Sequence, residues 1–293
     1  MRLLFLLAIS VSLLWGKGIA EPQRSPMLWE HHENGVRISI LGSIHFGRSA
    51  LYPLHPAIES AYKDATALAL EIDARKIPAG TDFLESHAFL DKGKSLQDVL
   101  SPNTFRKLKG YLRQTPIDYT AIRTMRPWYL SLNLADFTLN SLGLKANLGI
   151  DNFFTWRGIE DGKDIFELEG FEAQIRMMDT LPPMAEEALL KSSLYPLDEA
   201  RSFMDRLLRA WEYSDLPLFN RLTQESLGDG EGSQELYTIM FLERNRTMAD
   251  KIDRLIREGN QHLMVIIGAG HLIEKENVIE LLNQKGYRFI KVP

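Results

Sequence analysis

Four segments of the chain carry near-continuous runs of apolar residues, the pattern of strands that are covered on both faces of a sheet. They are residues 36–46, 67–73, 164–169 and 262–267, and a fifth segment, 287–292, is expected to close the chain. Helix-like stretches follow two of these strands, at 56–64 and 276–284. Strands that alternate with helices at both ends predict an α/β fold with a mostly parallel central sheet and flanking helices.

The middle of the chain has the spacing of helices. Ser101 and Pro102 are typical of a helix N-cap and first turn. Residues 185–257 repeat the helical period, with breaks at Pro196, Pro217 and 228–232, and the last helix is expected over about 234–257. We therefore expect residues 21–293 to form one α/β domain with helical insertions at about 85–160 and 185–258, packed on the sheet as a lid or shell.

Residues 1–20 have the pattern of a secretory signal peptide. Arg2 precedes an apolar run that reaches Trp15, and small residues lead to a cleavage point near Ala20. A membrane anchor is the alternative, but the run is shorter than the roughly 20 apolar residues that span a bilayer. We predict cleavage, a periplasmic or secreted location, and no membrane span in the cleaved chain.

Composition excludes several functions. The net charge is −5, and loss of Arg2 and Lys17 with the signal peptide makes the chain more acidic, so the basic surface of a nucleic-acid-binding protein is absent. The chain has no cysteine, which excludes disulfides, iron–sulfur clusters and thiolate metal sites. We expect no nucleic-acid partner.

Two copies of the pattern Gly-x-x-His follow strand-like runs, one near each end of the chain. They are Gly42-Ser43-Ile44-His45 and Gly268-Ala269-Gly270-His271. Ligands bind at the carboxyl ends of the strands in a parallel α/β sheet. A histidine there can ligate a metal or exchange protons near neutral pH, although a lone histidine can also be purely structural.

Acidic residues follow two further strands. Glu71 and Asp73 lie at the end of one, where either could ligate a metal while the other supports it, and Glu169 lies at the end of another. Glu169 could equally be an acid at a helix N-terminus, and Glu71 could pair with an arginine. Two histidines with one or two carboxylates suit Zn²⁺, Mn²⁺, Co²⁺ or Fe²⁺, with a position open for water.

Arg244 is a candidate for binding an anionic group. It lies in the run Glu243-Arg244-Asn245-Arg246 on the last predicted helix. There it could clamp a carboxylate or stabilise a developing oxyanion. The alternative is an exposed helix face with local ion pairs.

Several motifs in order along the chain resemble those of the TraB/GumN family, whose relatives include the Tiki metalloproteases, erythromycin esterase and the haem-binding protein ChaN. The motifs are Leu41–Gly47 with Tyr52-Pro53-Leu54, Leu70-Glu71-Ile72-Asp73, Arg126-Pro127-Trp128, Leu148-Gly149-Ile150-Asp151, Glu167-Leu168-Glu169 with Gln174, Glu243-Arg244-Asn245-Arg246, Ile267–Leu272 and Gly286-Tyr287. The chain departs from the family at residues 273–276, Ile-Glu-Lys-Glu, where a glycine often stands.

The resemblance implies an α/β core with paired Gly-x-x-His turns and a glutamate at the centre. It points to His45, Glu71 and His271 as the central residues, with Glu169, Arg244 and Asn245 around them. We predict a metal-dependent hydrolase, in particular a peptidase, whose divalent ion (Mn, Co, Zn or Fe) is held by the two histidines and a carboxylate. The other carboxylate would be the general base, and Arg244 would stabilise the oxyanion.

Three other functions stay open at this point. A histidine and a glutamate could activate water without a metal, as the esterase relatives suggest. The chain could bind haem or iron through His45 or Tyr52. It could also be a binding protein without enzymatic activity, with the middle helices as its binding surface. Substrate, metal identity and oligomeric state do not follow from the sequence.

Overall fold

A computed structural model describes residues 24–259 and 262–293. The predicted signal peptide, residues 1–20, lies outside the described residues. Within them six strands form one sheet: β1 (Leu28–Glu33), β2 (Val36–Ser43), β3 (Ala67–Leu70), β4 (Asp164–Glu167), β5 (His262–Gly268) and β6 (Ile290–Lys291).

The sheet has the strand order β4-β3-β5-β2-β1-β6. The pairs β4–β3, β3–β5 and β5–β2 are parallel, and β1 is antiparallel to both β2 and β6. In the register, Leu70 of β3 lies opposite Ile266 of β5, and Ser43 of β2 lies opposite Gly268. The carboxyl ends of the four parallel strands therefore meet at one edge of the sheet. The predicted α/β class with a mostly parallel sheet is confirmed.

The apolar runs locate the four parallel strands but overestimate the length of three of them. β2 stops at Ser43, β3 at Leu70 and β4 at Glu167, so two or three residues of each predicted segment belong to the turn that follows. The closing strand is only two residues long. β1 was not predicted, because four of its six residues are glutamate or histidine.

Fourteen α-helices lie within the described residues. They are α1 (Pro56–Asp64), α2 (Thr81–His87), α3 (Leu96–Val99), α4 (Pro102–Leu112), α5 (Tyr119–Ile122), α6 (Pro127–Ser141), α7 (Ile150–Glu160), α8 (Phe171–Asp179), α9 (Pro183–Lys191), α10 (Leu197–Glu212), α11 (Leu216–Leu227), α12 (Glu231–Tyr237), α13 (Arg244–Arg257) and α14 (Val278–Gln284). Short 3₁₀ turns occur at Ser49–Leu51, Ala74–Gly80, Ala146–Leu148 and Ala269–Leu272.

Helix starts follow the predicted capping chemistry. The first helix begins at Pro56 as predicted, and the side chain of His55 accepts a hydrogen bond from the Ala57 amide. Ser101 caps α4 by accepting a hydrogen bond from the Thr104 amide, which satisfies a donor that the helix itself leaves free. Helices α2–α7 connect β3 to β4, and α8–α13 connect β4 to β5. The division into one domain with two helical insertions stays a prediction.

The helix predicted over about 234–257 is present, but its middle has a different hydrogen-bond pattern. Residues Thr238–Glu243 are π-helical and join α12 to α13. A π turn shifts every following residue around the helix axis and occurs often at functional sites. Here it comes immediately before Arg244 and Asn245.

The main hydrophobic core surrounds the sheet, and two smaller clusters lie among the helices. Every residue of β3 is buried, and so is β5 from Leu263 to Gly268, as expected for strands covered on both faces. Among the described residues, no helix is both long enough and apolar enough to span a membrane.

The carboxylate of Glu187 links two helices outside the sheet, α4 and α9. Glu187 of α9 accepts hydrogen bonds from the amide (2.8 Å) and hydroxyl (2.6 Å) of Ser101, and Lys191 lies 2.9 Å away. Burial raises the pKa of Glu187, but the hydrogen bonds from Lys191, Ser101 and Thr104 outweigh it and lower the pKa to about 2. The ionised side chain therefore stabilises the start of α4 against α9.

We expect the substitution Glu187→Gln to lower the free energy of unfolding at neutral pH by about 1–3 kcal/mol. Because folding lowers this pKa from 4.5 to about 2, the stabilisation is complete above pH 4.5 and is lost as the pH falls towards 2. Urea unfolding of both proteins at neutral pH and near the acid end of this window measures the difference. Glu172→Gln, which removes an exposed pair with Arg176, should change little at either pH. A difference that does not shrink in acid would contradict this account.

Candidate functional site

The predicted site residues follow the carboxyl ends of the four parallel strands. His45 comes two residues after β2, Glu71 one residue after β3, and His271 three residues after β5. Glu169 comes two residues after β4. Because these strand ends lie side by side, the four side chains reach the same edge of the sheet.

Gly268, the last residue of β5, lies where three of these side chains meet. A Cβ added at this glycine would be 3.3 Å from Oε1 of Glu71 and 3.6 Å from Nε2 of His45. It would also be 3.6 Å from Cδ2 of His271, whose Nε2 lies 4.0 Å from Oε1 of Glu71. The absence of a side chain at Gly268 therefore leaves a small space bordered by two imidazoles and a carboxylate. We call this space the Gly268 centre.

Glu71 is buried, with its side chain 7% exposed, and both of its carboxylate oxygens are engaged. Oε1 accepts a hydrogen bond from the Gly268 amide (2.6 Å), and Oε2 accepts from Arg244 (2.6 Å) and Gln174 (3.2 Å). Burial raises the pKa of Glu71, but the positive charges of Arg244 and His45 and the hydrogen bond from the Gly268 amide outweigh it and hold the pKa well below its ordinary value. Glu71 is thus an anion whose Oε1 borders the Gly268 centre.

His271 is held with one ring nitrogen as a donor and the other free to accept. Its Nδ1 lies 2.6 Å from Oδ1 of Asn245, and the amide nitrogen of Asn245 donates to the Glu276 carbonyl (2.9 Å). Since the Asn245 oxygen can only accept, His271 Nδ1 carries the hydrogen and Nε2 carries the lone pair. Burial lowers the pKa of His271 to about 3, so the ring is neutral. The ring of Phe241 packs against it at a centroid distance of 5.3 Å.

His45 has the opposite environment. Its side chain is 62% exposed, and its Nδ1 lies 3.0 Å from a carboxylate oxygen of Asp151 at the start of α7. The negative charge of Asp151 raises the pKa of His45 to about 9, so the ring carries a proton at neutral pH. Asp151 belongs to the Leu148-Gly149-Ile150-Asp151 motif, but no pattern in the sequence indicated that it lies against a histidine 106 positions away.

Arg244 lies inside the site and not on an exposed helix face. Its Nε and Nη2 donate to the two oxygens of Glu169 (2.8 and 2.6 Å), and Nη2 also donates to Glu71. All three side chains are nearly buried, with Arg244 12% exposed. Nη1 donates to the Met240 carbonyl (3.1 Å), within the π-helical segment. Glu169 therefore forms a two-bond ion pair, which fixes Arg244 against the central carboxylate.

Two other candidates lie outside this arrangement. Asp73 does not join Glu71, because its carboxylate pairs with Arg75 at 2.6–3.0 Å. The hydroxyl of Tyr52 donates to the Leu148 carbonyl, and burial raises its pKa to about 12. The hydroxyl of Tyr52 is thus engaged by the Leu148 carbonyl and does not border the Gly268 centre.

The Gly268 centre offers the donor chemistry of a divalent-metal site. An acceptor holds Nδ1 of each imidazole and leaves Nε2 for a metal, as in metal-ligating histidines of proteins. Nε2 of His271 already carries a lone pair, whereas His45 would release its proton on binding a metal. Oε1 of Glu71 supplies a carboxylate oxygen. Among residues 24–259 and 262–293, however, no three His, Asp or Glu side chains already have the arrangement of a metal-binding group. The type and orientation of the donor atoms therefore fit a divalent metal ion, although the side chains are not yet grouped around one point.

Comparison with known proteins identifies the family. The model of the TraB/PrgY/gumN family matches residues 27–290, which include every site residue described above. The chain belongs to this family.

Relatives of this TraB/PrgY/gumN protein include bacterial and animal proteins. It is 28% identical over 243 residues to YbaP of Escherichia coli (strain K12), and the match covers 83% of this chain and 86% of that protein. It is 31% identical over 125 residues to a metalloprotease TIKI homolog of Amphimedon queenslandica, covering 40% of this chain and 24% of that protein. It is 22% identical over 308 residues to metalloprotease TIKI2 of Danio rerio, and the match covers 87% of this chain and 58% of that protein. No solved structure matches significantly.

Proposed function

We propose that this protein is an exported metal-dependent hydrolase that cleaves peptide bonds. The observation that carries the proposal is the convergence of His45, Glu71 and His271 around the side-chain-free Gly268. Relatives named as metalloproteases support a hydrolase with a peptide or protein substrate. Export rests on the sequence pattern of residues 1–20 alone.

In this proposal His45, His271 and Glu71 hold the divalent ion. Glu71 is assigned to this role in place of Glu169, because its Oε1 borders the centre while Glu169 is bound on both oxygens by Arg244. Such an ion, Mn, Co, Zn or Fe, lowers the pKa of a bound water and polarises a substrate carbonyl. Glu71 and Glu169 are the two carboxylates proposed as general base.

The remaining side chains position these groups. Asn245 fixes His271 in the form whose Nε2 accepts, and Arg244 holds Glu71 and Glu169 side by side by donating to both. The described contacts use four of the five N–H groups of Arg244. The fifth, on Nη1, is available for the oxyanion of a substrate, which keeps the proposed catalytic role of Arg244 open.

A metal-independent hydrolase is the second candidate, and one observation favours it. No three ligands are already grouped in the described residues, whereas the neutral Nε2 of His271 and the ionised Glu71 lie 4.0 Å apart. This pair could accept a proton from a water molecule without a metal.

Metal analysis separates the two candidates. Mass spectrometry of protein purified without chelators should find near-stoichiometric Mn, Co, Zn or Fe in the wild type and little in His45→Ala. His32→Ala, which removes a histidine that is 53% exposed and bound only to Glu30, is the matched control and should keep the metal.

Peptide hydrolysis measured on the same samples completes the test. Metal that is lost in His45→Ala together with hydrolysis supports the first candidate. If metal-free wild type hydrolyses peptides at the full rate even when a chelator is present, the metal-independent reaction is supported instead. If the protein bound no metal after reconstitution and cleaved no peptide of a mixed library, both candidates would be refuted.

A further inference from the structure

We propose that Asp151 is a positioning residue that fixes the ring of His45 at the Gly268 centre. Nothing in the sequence assigned it this role. The inference deepens the proposed function, because it assumes that His45 belongs to the centre. It is carried by hydrogen bonds and backbone contacts between β2, the turn that follows it and the start of α7.

The Asp151 carboxylate is bound on both oxygens. Oδ2 lies 3.0 Å from Nδ1 of His45, and Oδ1 accepts a hydrogen bond of 2.6 Å from the hydroxyl of Ser43. Ser43 is the last residue of β2 and is buried, so it anchors the carboxylate to the sheet. Because Nδ1 faces Asp151, Nε2 is the ring nitrogen that faces Gly268.

The backbone places Asp151 independently of its pair with His45. The Ile150 amide donates to the Ile44 carbonyl (2.9 Å), and Gly47 and Lys145 exchange two backbone hydrogen bonds (3.0 and 2.9 Å). Gly149 lies so close that an added Cβ would be 2.2 Å from the His45 carbonyl oxygen. The start of α7 is therefore packed directly against the first Gly-x-x-His turn, with Asp151 beside the histidine.

His45 needs such a partner more than His271 does. The ring of His271 is buried and packed against Phe241, whereas the side chain of His45 is mostly exposed. An exposed side chain keeps its rotamer freedom unless a contact restrains it, and ordering it costs free energy. Asp151 and Ser43 supply that restraint before a ligand binds.

Asp151 could instead serve only helix α7, since an acidic residue in the first turn stabilises a helix. Asp198 provides a matched control, because it is also the second residue of its helix, α10, and has no histidine partner in the described contacts. Both residues should make similar contributions to helix stability. Only Asp151 should affect the ring of His45.

The test compares wild type with Asp151→Ala, Asp151→Asn and Asp198→Ala in two measurements. The first is NMR relaxation of the His45 ring, with its signal assigned by its loss in His45→Ala. We expect the ring to become mobile in Asp151→Ala, to stay largely ordered in Asp151→Asn, whose amide oxygen can still accept from Nδ1, and to be unchanged in Asp198→Ala. The melting temperature of Asp151→Ala should fall by more than that of Asp198→Ala, because Asp151→Ala also removes the hydrogen bonds to Ser43 and His45.

The second measurement is calorimetric titration with Co²⁺ alone. Asp151→Ala should weaken Co²⁺ binding by about 10–100-fold, the usual effect of removing a residue that orients a metal-ligating histidine. A His45 ring that stays ordered in Asp151→Ala would overturn the inference, as would a fall in melting temperature without any change in the ring. If wild type binds no Co²⁺, the metal-dependent function fails, while the ring measurement still decides the role of Asp151.

Discussion

Replacing Arg244 by methionine is expected to lower the free energy of unfolding at neutral pH by about 3–5 kcal/mol, the usual cost of removing one partner of a buried ion pair. The guanidinium donates to both Glu71 and Glu169, and the two carboxylates are less than 10% exposed. Without Arg244 two negative charges would face each other in a site from which water is largely excluded. Methionine keeps most of the volume of the side chain, so the loss reports mainly the charge.

The same variant should regain stability in mild acid. With Arg244 gone, Glu71 loses a positive charge that lowers its pKa, so it takes up a proton at a higher pH than in the wild type, and protonation removes the repulsion. The difference in unfolding free energy between wild type and variant should therefore be largest at neutral pH and smaller near the ordinary pKa of glutamate. Urea unfolding at both pH values measures it.

Arg246→Met is the matched control for this experiment. Arg246 follows two residues later on the same helix and pairs with Glu276 where both side chains are about half exposed. Its loss should cost no more than about 1 kcal/mol. If Arg244→Met and Arg246→Met were equally mild, Arg244 would not be the counter-ion of a buried carboxylate pair.

Replacing Gly268 by alanine is expected to lower hydrolysis at least about 100-fold while leaving the fold intact. The added methyl group would lie 3.3 Å from Oε1 of Glu71 and 3.6 Å from the rings of His45 and His271. It would occupy the space that a water, a metal ion or a substrate atom needs between these groups. Displacement by about 1 Å at a reacting centre is enough to produce a loss of this size.

The backbone of Gly268 accepts alanine. Its φ of −50° and ψ of 133° lie in a region that residues with a side chain adopt freely, so the substitution adds no backbone strain. Gly110→Ala is the control, because an added Cβ there meets only the end of Arg113, at 3.9 Å, in the middle of α4. Neither variant should lower the melting temperature by more than a few degrees, which corresponds to about 1 kcal/mol.

Much of the fold is predictable because it depends on local pattern. Continuous apolar runs identify the strands that are buried on both faces, and proline with a capping residue identifies the starts of α1 and α4. β1 escapes prediction because its pattern is mixed: His31 is buried beside Tyr287 and Phe289, while its neighbour His32 is exposed. Such burial depends on residues from the other end of the chain.

The sequence predicts only those site residues that directly follow the buried strands. His45, Glu71, His271 and Glu169 all follow apolar runs, and the parallel sheet brings such positions to one edge. Their partners depend on distant segments. The π-helical turn sets the direction of Arg244 and Asn245, and no pattern in the sequence indicated it.

Side-by-side digestion of a mixed peptide library by wild type, Gly268→Ala and Gly110→Ala tests the central claim most directly. The account predicts that wild type and Gly110→Ala produce the same cleavage products at similar rates. Gly268→Ala should fold with nearly the same melting temperature and produce almost none. Equal cleavage by all three folded proteins would show that the space between His45, Glu71 and His271 is not where hydrolysis takes place.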